Sequence, residues 1–304
     1  MQEAALPAPA AHVAAQPFHA HRNIRRASYA PGRLAPGLRI VSHNVRGMGS
    51  EVKALAGTDG GPGHLHALSD CWAGLRAHII CLQETHLRRN ARSGETGCAA
   101  DVERRLQAAA TASQRSGYAA FWAHNSFGAS GGVGILISQD LITQGALKVR
   151  EAGLQASADG RLLAVPVVWQ GHELIIMSVY MPASNRAVQR TFIADILTPF
   201  LQRLPAAAQL IMAGDYNVTL NQALERFHLQ RHNLPAVAHP HDASELSVAA
   251  ALQQLCTTTG VVDAFRYKHP TSRVYTWSTS DFVYGAPCWS WLTSRVGASS
   301  GQLN

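Results

Sequence analysis

Three strand-like runs in the middle of the chain constrain the fold most, because two of them follow each other without room for a helix. They cover Gly132 to Ser138, Arg161 to Trp169 and Glu173 to Tyr180. The turn Gln170-Gly171-His172 between the second and third runs is a clear hairpin signal, so these strands are predicted to pair antiparallel. A sandwich of mixed sheets is therefore favoured over a uniformly parallel, doubly wound fold.

The remaining sequence alternates short β-like runs with helical spacing of apolar residues, which is typical of an α/β domain. The other predicted strands are Leu38 to Asn44, His78 to Gln83, Tyr118 to His124 and Gln209 to Asp215. The predicted helices are Leu65 to Arg76, Val102 to Arg115, Ala187 to Leu204 and Ser244 to Thr258. The polar segment Asn221 to Asp242 holds His228, His232, His239 and His241. It is predicted to be a long loop, and a metal site only if these irregularly spaced histidines converge.

The length of 304 residues suffices for one large domain or two ordinary ones. We assign residues 38–285 to one domain, residues 1–37 to a flexible basic tail rich in Ala and Pro, and residues 286–304 to a divergent or disordered end. The tail lacks the apolar core of a signal peptide, and an organelle transit peptide is the alternative interpretation. No apolar run approaches the roughly 18 residues of a membrane span, so we expect no membrane partner.

The net charge indicates the class of partner, and the cysteines indicate the cellular compartment. The chain has 26 Lys and Arg against 19 Asp and Glu, a net charge of +7, which favours a polyanionic partner such as nucleic acid. Its five cysteines are scattered and never form a CxxC pair, which argues against a disulfide framework and against structural zinc. We expect an intracellular protein, located in the nucleus.

Polar residues recur where four predicted strands end. The segments read HNVRG from position 43, QETH from 83, VYMP from 179 and GDYN from 214. Since strand ends deliver side chains into a shared cleft, we expect their polar residues to lie together. These residues are Asn44, Glu84, Tyr180, Asp215 and Asn217.

Each of these residue types suits phosphate chemistry. Glu84 is a hard oxygen ligand for Mg²⁺, and Asn44 can add its carbonyl or hold the carboxylate through its amide. Asp215 can orient or deprotonate a water while Asn217 donates to a phosphate oxygen, and Tyr180 can offer its phenol to the same phosphate. Taken singly, each residue also has an ordinary structural interpretation, such as a surface carboxylate or a turn.

In this order and spacing, the four segments resemble the first four motifs of the endonuclease/exonuclease/phosphatase superfamily. These metal-dependent phosphoesterases include abasic-site DNA endonucleases and the endonuclease domains of LINE-type non-LTR retrotransposons. The resemblance runs from about Leu38 to Trp277 and includes Gly260 to Arg266, His269-Pro270 and Tyr275-Thr276-Trp277.

The resemblance implies a four-layer α/β sandwich, in which two mixed β-sheets pack face to face with helices outside. It also implies that Asp215, Asn217, Tyr180 and Asn44 are catalytic and that Glu84 and Asn44 bind Mg²⁺, with Mn²⁺ as the alternative. By strand alternation, His43 and His86 are predicted to point away from Asn44 and Glu84 and to be structural.

The two closing motifs of the superfamily, an Asp in a Ser-Arg-Ile-Asp-like strand and a final Ser-Asp-His, are absent. Ser294-Arg295 is followed by Val296-Gly297, and no histidine follows His269. We therefore expect the last strands to be missing or divergent and the end to reflect a truncated gene copy or an alternative last exon. Loss of a group that acts on the transition state removes orders of magnitude of rate, so we do not expect full activity from this chain. The alternative is that Asp281 replaces the missing ligand.

The expected function is a Mg²⁺-dependent DNA endonuclease of the retrotransposon or DNA-repair type, acting as a monomer. Two alternatives stay open: a catalytically dead remnant that binds nucleic acid, and a phosphatase of the same superfamily acting on RNA or phosphorylated small molecules. Basic loop residues beside a cleft can neutralise backbone phosphates. The candidate nucleic-acid-binding residues are Arg46, Arg88, Arg89, Arg186, Arg190 and Thr276.

Overall fold

The structure is a computed structural model of the chain. It describes residues 37–48, 64–87, 98–126, 131–218, 220, 243–264, 267, 271 and 292–295. The chain divides into two units, residues 1–37 and residues 38–304, and every element below belongs to the second unit.

The first sheet has four strands among the described residues. They are β1 (Ile40–Asn44), β2 (Ile79–Gln83), β3 (Tyr118–Ala123) and β4 (Val133–Ser138), in the spatial order β1-β2-β4-β3. Strands β1 and β2 are parallel, and the other pairs are antiparallel. Both faces of β2 are buried, which explains its continuous apolar run before Gln83.

In the part of the chain that the structure describes, the second sheet has seven strands and is also mixed. Strands β7 and β8 form the predicted antiparallel hairpin, while β8 and β9 are parallel. Positive φ angles of 50° at Gln170 and 83° at Gly171 make the tight turn that matches the twist of the hairpin. The spatial order is β10-β11-β9-β8-β7-β5, with β6 on β7. The strands are β5 (Leu147–Val149), β6 (Gln155–Ala156), β7 (Leu162–Trp169), β8 (His172–Tyr180), β9 (Gln209–Asp215), β10 (Val261–Asp263) and β11 (Leu292–Arg295).

Helices cover both sheets. The helices are α1 (His64–Gly74), α2 (Ala99–Ala112), α3 (Gln139–Thr143), α4 (Arg186–Thr191), α5 (Thr198–Arg203) and α6 (Ala243–Thr259). A π-helical turn, Phe192–Leu197, joins α4 to α5, so the single helix predicted from 187 to 204 is one run with a widened centre. A 3₁₀ turn spans Glu151–Gly153. No helix within the described residues is long and apolar enough to cross a membrane.

Period-two alternation divides the strand residues between three buried clusters. Ile79 and Cys81 of β2 face the second sheet and pack in one cluster with Val165 and Ile176, whereas Ile80 faces outward onto α1 and α2. The outer face of the second sheet packs against the π-helical turn, α5 and α6. Each large side chain buried in this way stabilises the fold by about 1.5–3 kcal/mol. The result is the predicted α/β sandwich, two mixed sheets face to face with helices outside.

Several elements were not predicted because they are short. They are α3, β5, β6, β10 and β11, of which the longest has five residues. Strand β11 pairs with both β9 and β10. It lies in the range 286–304, where we expected a missing or divergent end, so part of this range belongs to the second sheet. The predicted histidine-rich loop lies outside the described residues.

Candidate active site

The carboxyl ends of the two parallel strand pairs bring the four motifs together. Asn44 pairs in register with Gln83 at the end of β1 and β2, and Tyr180 pairs with Asp215 at the end of β8 and β9. Asn44, Tyr180 and Asp215 occupy positions on the faces that the two sheets turn toward each other. The polar side chains at these strand ends therefore converge at one end of the sandwich.

Asn44 is the junction of the site. Its Nδ2 donates to Glu84 Oε1 at 2.7 Å and to Asp215 Oδ2 at 2.9 Å, which uses both amide hydrogens. Its Oδ1 accepts from the backbone N–H of Arg46 at 3.1 Å. Of the two roles considered for Asn44, the structure shows the amide holding the carboxylates.

Asp215 is partly buried and closely hydrogen-bonded. The backbone N–H of Asn217 donates to Asp215 Oδ1 at 3.0 Å, and Asn217 Nδ2 donates to Met181 O at 2.8 Å. Burial raises the pKa of Asp215, and the charge of Glu84 raises it further; the hydrogen bonds from Asn44 and Asn217 and the charge of Arg46 oppose this shift. The Asp215 carboxylate is therefore a stronger base than a solvated one.

Tyr180 completes the polar group. It is buried, and its phenol lies beside the carboxylate of Glu84. Burial and the neighbouring Glu84 carboxylate raise the pKa of Tyr180 to about 12, with Arg161 opposing and Asp215 adding to the shift. At neutral pH the phenol is thus a neutral hydrogen-bond donor.

Left-handed backbone is concentrated around these residues. Arg46, Glu84, His86 and Asn217 have φ angles of 51°, 53°, 53° and 47°, unusual for residues other than glycine. The prediction that His86 points away from Glu84 is wrong, because His86 Nε2 lies 3.7 Å from Glu84 Oε2. Strand β2 ends at Gln83, so strand alternation does not extend to these two residues.

His43 has the structural contact that alternation predicted. It faces away from the cleft, where its Nδ1 accepts from Trp72 Nε1 of α1 at 3.1 Å. The two rings also meet edge to face, with centroids 6.2 Å apart. His43 therefore anchors the end of β1 to the helix layer.

Backbone hydrogen bonds tie together the loops that carry the motifs. Gly47 N donates to Glu84 O at 2.7 Å, Met48 N to Thr85 O at 2.9 Å, and His86 N to Gly131 O at 2.8 Å. A Cβ at Gly132, where φ is 83°, would lie 2.5 Å from Thr85 Oγ1. Gly132 thus allows the two loops to approach each other closely.

A buried polar network lies directly beneath the cleft, and sequence reasoning missed it. Ser42 Oγ donates to Gln83 Oε1 at 3.2 Å, Gln83 Nε2 donates to Ser178 Oγ at 3.1 Å, and Ser178 Oγ donates to Leu82 O at 3.0 Å. Gln83 and Ser178 are fully buried. The available signal was a polar residue at an inward position of an otherwise apolar strand. This network joins the two sheets below the site.

The predicted basic residues lie in different surroundings. Arg46 is exposed beside the site and stabilises the charge of Asp215. Arg186 Nη1 donates to Asn217 O at 3.2 Å and to Gln189 Oε1 at 2.7 Å, so it supports the Asn217 loop. Arg190 Nη1 donates to Ser247 Oγ of α6 at 2.8 Å. Arg88, Arg89, Thr276 and Asp281 lie outside the described residues.

The donor set of the cleft fits a hard divalent cation that keeps most of its water. Glu84 and Asp215 are two carboxylates held by one amide, and the charge of Glu84 raises the pKa of Asp215. A cation near Glu84, whose side chain is 24% exposed, would relieve this repulsion. Among the described residues no group of three or more His, Cys, Asp and Glu could enclose a metal. The partly exposed carboxylate of Glu84 could hold such an ion.

Comparison with known proteins agrees with this architecture. The model of the Endonuclease/Exonuclease/phosphatase family matches residues 41–293. An AP endonuclease from Archaeoglobus fulgidus has a similar structure, with a TM-score of 0.55 and 15% identity over 85% of this chain and 87% of that one. An AP endonuclease from Leishmania major aligns with a TM-score of 0.57 and 15% identity over 84% and 78%. At this identity the likeness shows the fold. No curated protein matches the chain by sequence.

Proposed function

Since the chain belongs to the endonuclease/exonuclease/phosphatase family of phosphoester hydrolases, we propose that it is a Mg²⁺-dependent phosphodiesterase that nicks DNA. The observation that carries the proposal is the double hydrogen bond of Asn44 to Glu84 and Asp215. It places a residue suited to a divalent cation beside a residue suited to activating water. The AP endonucleases from Archaeoglobus fulgidus and Leishmania major have a similar fold, which supports a nucleic-acid substrate.

In this proposal the chain's own residues divide the work. Asp215, with its raised pKa, orients the attacking water and accepts its proton. Tyr180 stays protonated, so its phenol can donate to a phosphate oxygen, while Asn217 fixes the loop beside Asp215. A divalent cation held by Glu84 would stabilise the charge that develops on the phosphate.

Charge supports a polyanionic substrate. The net charge is +7, and the exposed Arg46 lies beside the carboxylates, where a substrate phosphate would approach. Within this proposal the enzyme is a nuclear monomer that acts as a retrotransposon-type or DNA-repair-type endonuclease. A panel of substrates separates these two types from each other and from enzymes that act on RNA or small molecules. The panel consists of supercoiled plasmid, a duplex with one abasic site, single-stranded RNA and an inositol phosphate.

The test is nicking of supercoiled plasmid by the purified full chain in Mg²⁺. We expect nicking by the wild type and a loss of at least ~100-fold in Glu84→Ala and in Asp215→Ala. Glu173→Ala is the matched control, because Glu173 is a carboxylate at the opposite end of β8, 64% exposed in a surface pair with Arg150. Equal nicking by Asp215→Ala and the wild type would overturn the assignment.

A second candidate function is nucleic-acid binding without cleavage. It is favoured by Val296-Gly297 after Ser294-Arg295, where the resemblance to the superfamily implies an Asp. In this case the wild type and Asp215→Ala bind duplex DNA equally, affinity falls steeply with salt, and neither protein nicks DNA at any Mg²⁺ concentration.

A further inference from the structure

Arg161 is the cross-strand neighbour of Tyr180. Strands β7 and β8 pair antiparallel, with Leu162 opposite Val179, so the residue before β7 meets the last residue of β8. The backbone N–H of Tyr180 donates to Arg161 O at 2.9 Å. The register of the hairpin therefore fixes a cation beside the phenol of the site.

The side chain of Arg161 makes two contacts with Tyr180. Its Cζ lies 4.9 Å from the centroid of the Tyr180 ring, within the range of a cation–π contact. Its Nη1 also donates to the backbone carbonyl of Tyr180 at 3.4 Å. A Cβ on Gly131 would lie 3.8 Å from Cδ1 and Cε1 of the Tyr180 ring, so the backbone of Gly131 lies close to this edge of the ring.

A tight turn at residues 157–162 holds Arg161 in this position. Ser157 Oγ accepts from the backbone N–H groups of Arg161 and Leu162 at 3.1 Å and 2.9 Å, and Asp159 Oδ1 accepts from Arg161 N at 3.2 Å. Gly160 is required there, because a Cβ would lie 2.4 Å from Asn125 N and φ is 67°. Asp159 Oδ2 lies 3.9 Å from Arg161 Nε, an ion pair that also restrains the guanidinium.

We propose that Arg161 is a positioning residue, which holds the Tyr180 ring in the orientation that directs its hydroxyl into the cleft toward the reacting phosphate. This inference rests on the proposed phosphodiesterase function. Arg161 is only 22% exposed, and its guanidinium already contacts Tyr180 and Asp159. Arg46 is exposed and is therefore the better candidate for a contact with substrate. The effect of Arg161 on the reaction therefore passes through the tyrosine.

The test is a double-mutant cycle of Arg161→Gln and Tyr180→Phe in steady-state nicking assays. We expect Arg161→Gln to lower kcat about 10-fold with KM nearly unchanged, and to have less than about 2-fold further effect when Tyr180 is already Phe. Arg161→Lys keeps the charge without the planar stack and should recover only part of kcat. Arg150→Gln is the control, since Arg150 forms a surface pair with Glu173 on the same sheet and should retain wild-type kcat.

Independent effects of the two substitutions, or a rise in KM with a shallower salt dependence, would overturn the inference and make Arg161 a substrate contact. If the wild type does not nick DNA, the proposed function fails, and crystal structures decide the inference separately. The Tyr180 ring should change its orientation in Arg161→Gln and keep it in Arg150→Gln. An unchanged Tyr180 ring orientation in Arg161→Gln would contradict the inference.

Discussion

The side-chain amide of Asn44 donates to the carboxylate of Asp215 at 2.9 Å, across 171 positions of sequence. Asn44 ends the first strand of the four-stranded sheet, and Asp215 ends a strand of the seven-stranded sheet. One hydrogen bond thus joins the two sheets at the cleft. The same nitrogen holds Glu84, so the relative placement of both carboxylates depends on a single side chain.

Asn44→Ala should damage both activity and stability. It leaves Glu84 and Asp215 as neighbouring carboxylates without their shared donor, which costs about 1–3 kcal/mol of unfolding free energy. We expect at least ~100-fold slower nicking and a lower melting temperature. The control is Gln107→Ala on the exposed face of α2, which should change neither quantity. Wild-type nicking by Asn44→Ala would contradict the role of the amide.

The stability of the Asp215→Asn variant relative to the wild type should increase as pH rises. The pKa of Asp215 is raised in the folded state, so the folded protein binds more protons than the unfolded chain above about pH 4, and ionisation of Asp215 costs stability as pH rises. The melting temperature of Asp215→Asn minus that of the wild type should therefore increase from pH 4 to pH 7. A difference that decreases over this range would show that the folded site favours the ionised carboxylate.

Tyr180→Phe should slow nicking by a factor that does not change between pH 7 and pH 9. The pKa of Tyr180 is raised to about 12, so the wild-type phenol remains a donor throughout this range. We expect a loss of about 10- to 100-fold in kcat, as for removal of a donor to the transition state. Parallel pH–rate profiles of the two proteins would agree with this role. Profiles that converge near pH 9 would mean that the phenol ionises earlier.

Gly214→Ala should destabilise the fold at the point where β8 and β9 carry the site. A Cβ at this position would lie 2.0 Å from Val179 O and 2.8 Å from Val179 C, so two paired backbones would have to separate. We expect a loss of roughly 3 kcal/mol or more in chemical denaturation. Gly74→Ala, at the end of α1 with nothing within 4 Å, is the matched control and should be neutral or stabilising. Equal stability of the two variants would refute the steric argument.

Strand alternation explains why most of the site was predictable from sequence. Asn44, Tyr180 and Asp215 are the last residues of regular strands, where position along the strand determines the face. His86 was placed wrongly because the backbone turns left-handed at Glu84, after β2 has ended, and no local pattern signals that change. The network of Ser42, Gln83 and Ser178 depends on the packing of two sheets, which is a tertiary property.

Short elements escaped prediction for a different reason. Strand β11 has only four residues, too few for a periodic pattern, and it exists through pairing with β9 and β10. The pairing of Arg161 with Tyr180 also follows from hairpin register rather than from either residue alone. Local periodicity therefore predicted the main strands and helices, whereas contacts between distant segments determined these details.

The most direct test of the account is single-turnover cleavage of a duplex with one abasic site by the full chain, titrated with Mg²⁺. The account predicts cleavage that requires Mg²⁺, a shift of at least ~10-fold to higher Mg²⁺ concentration in Glu84→Gln, and a loss of at least ~100-fold in Asp215→Asn at saturating Mg²⁺. Absence of cleavage by the folded wild-type chain, or a Mg²⁺ requirement unchanged in Glu84→Gln, would contradict it.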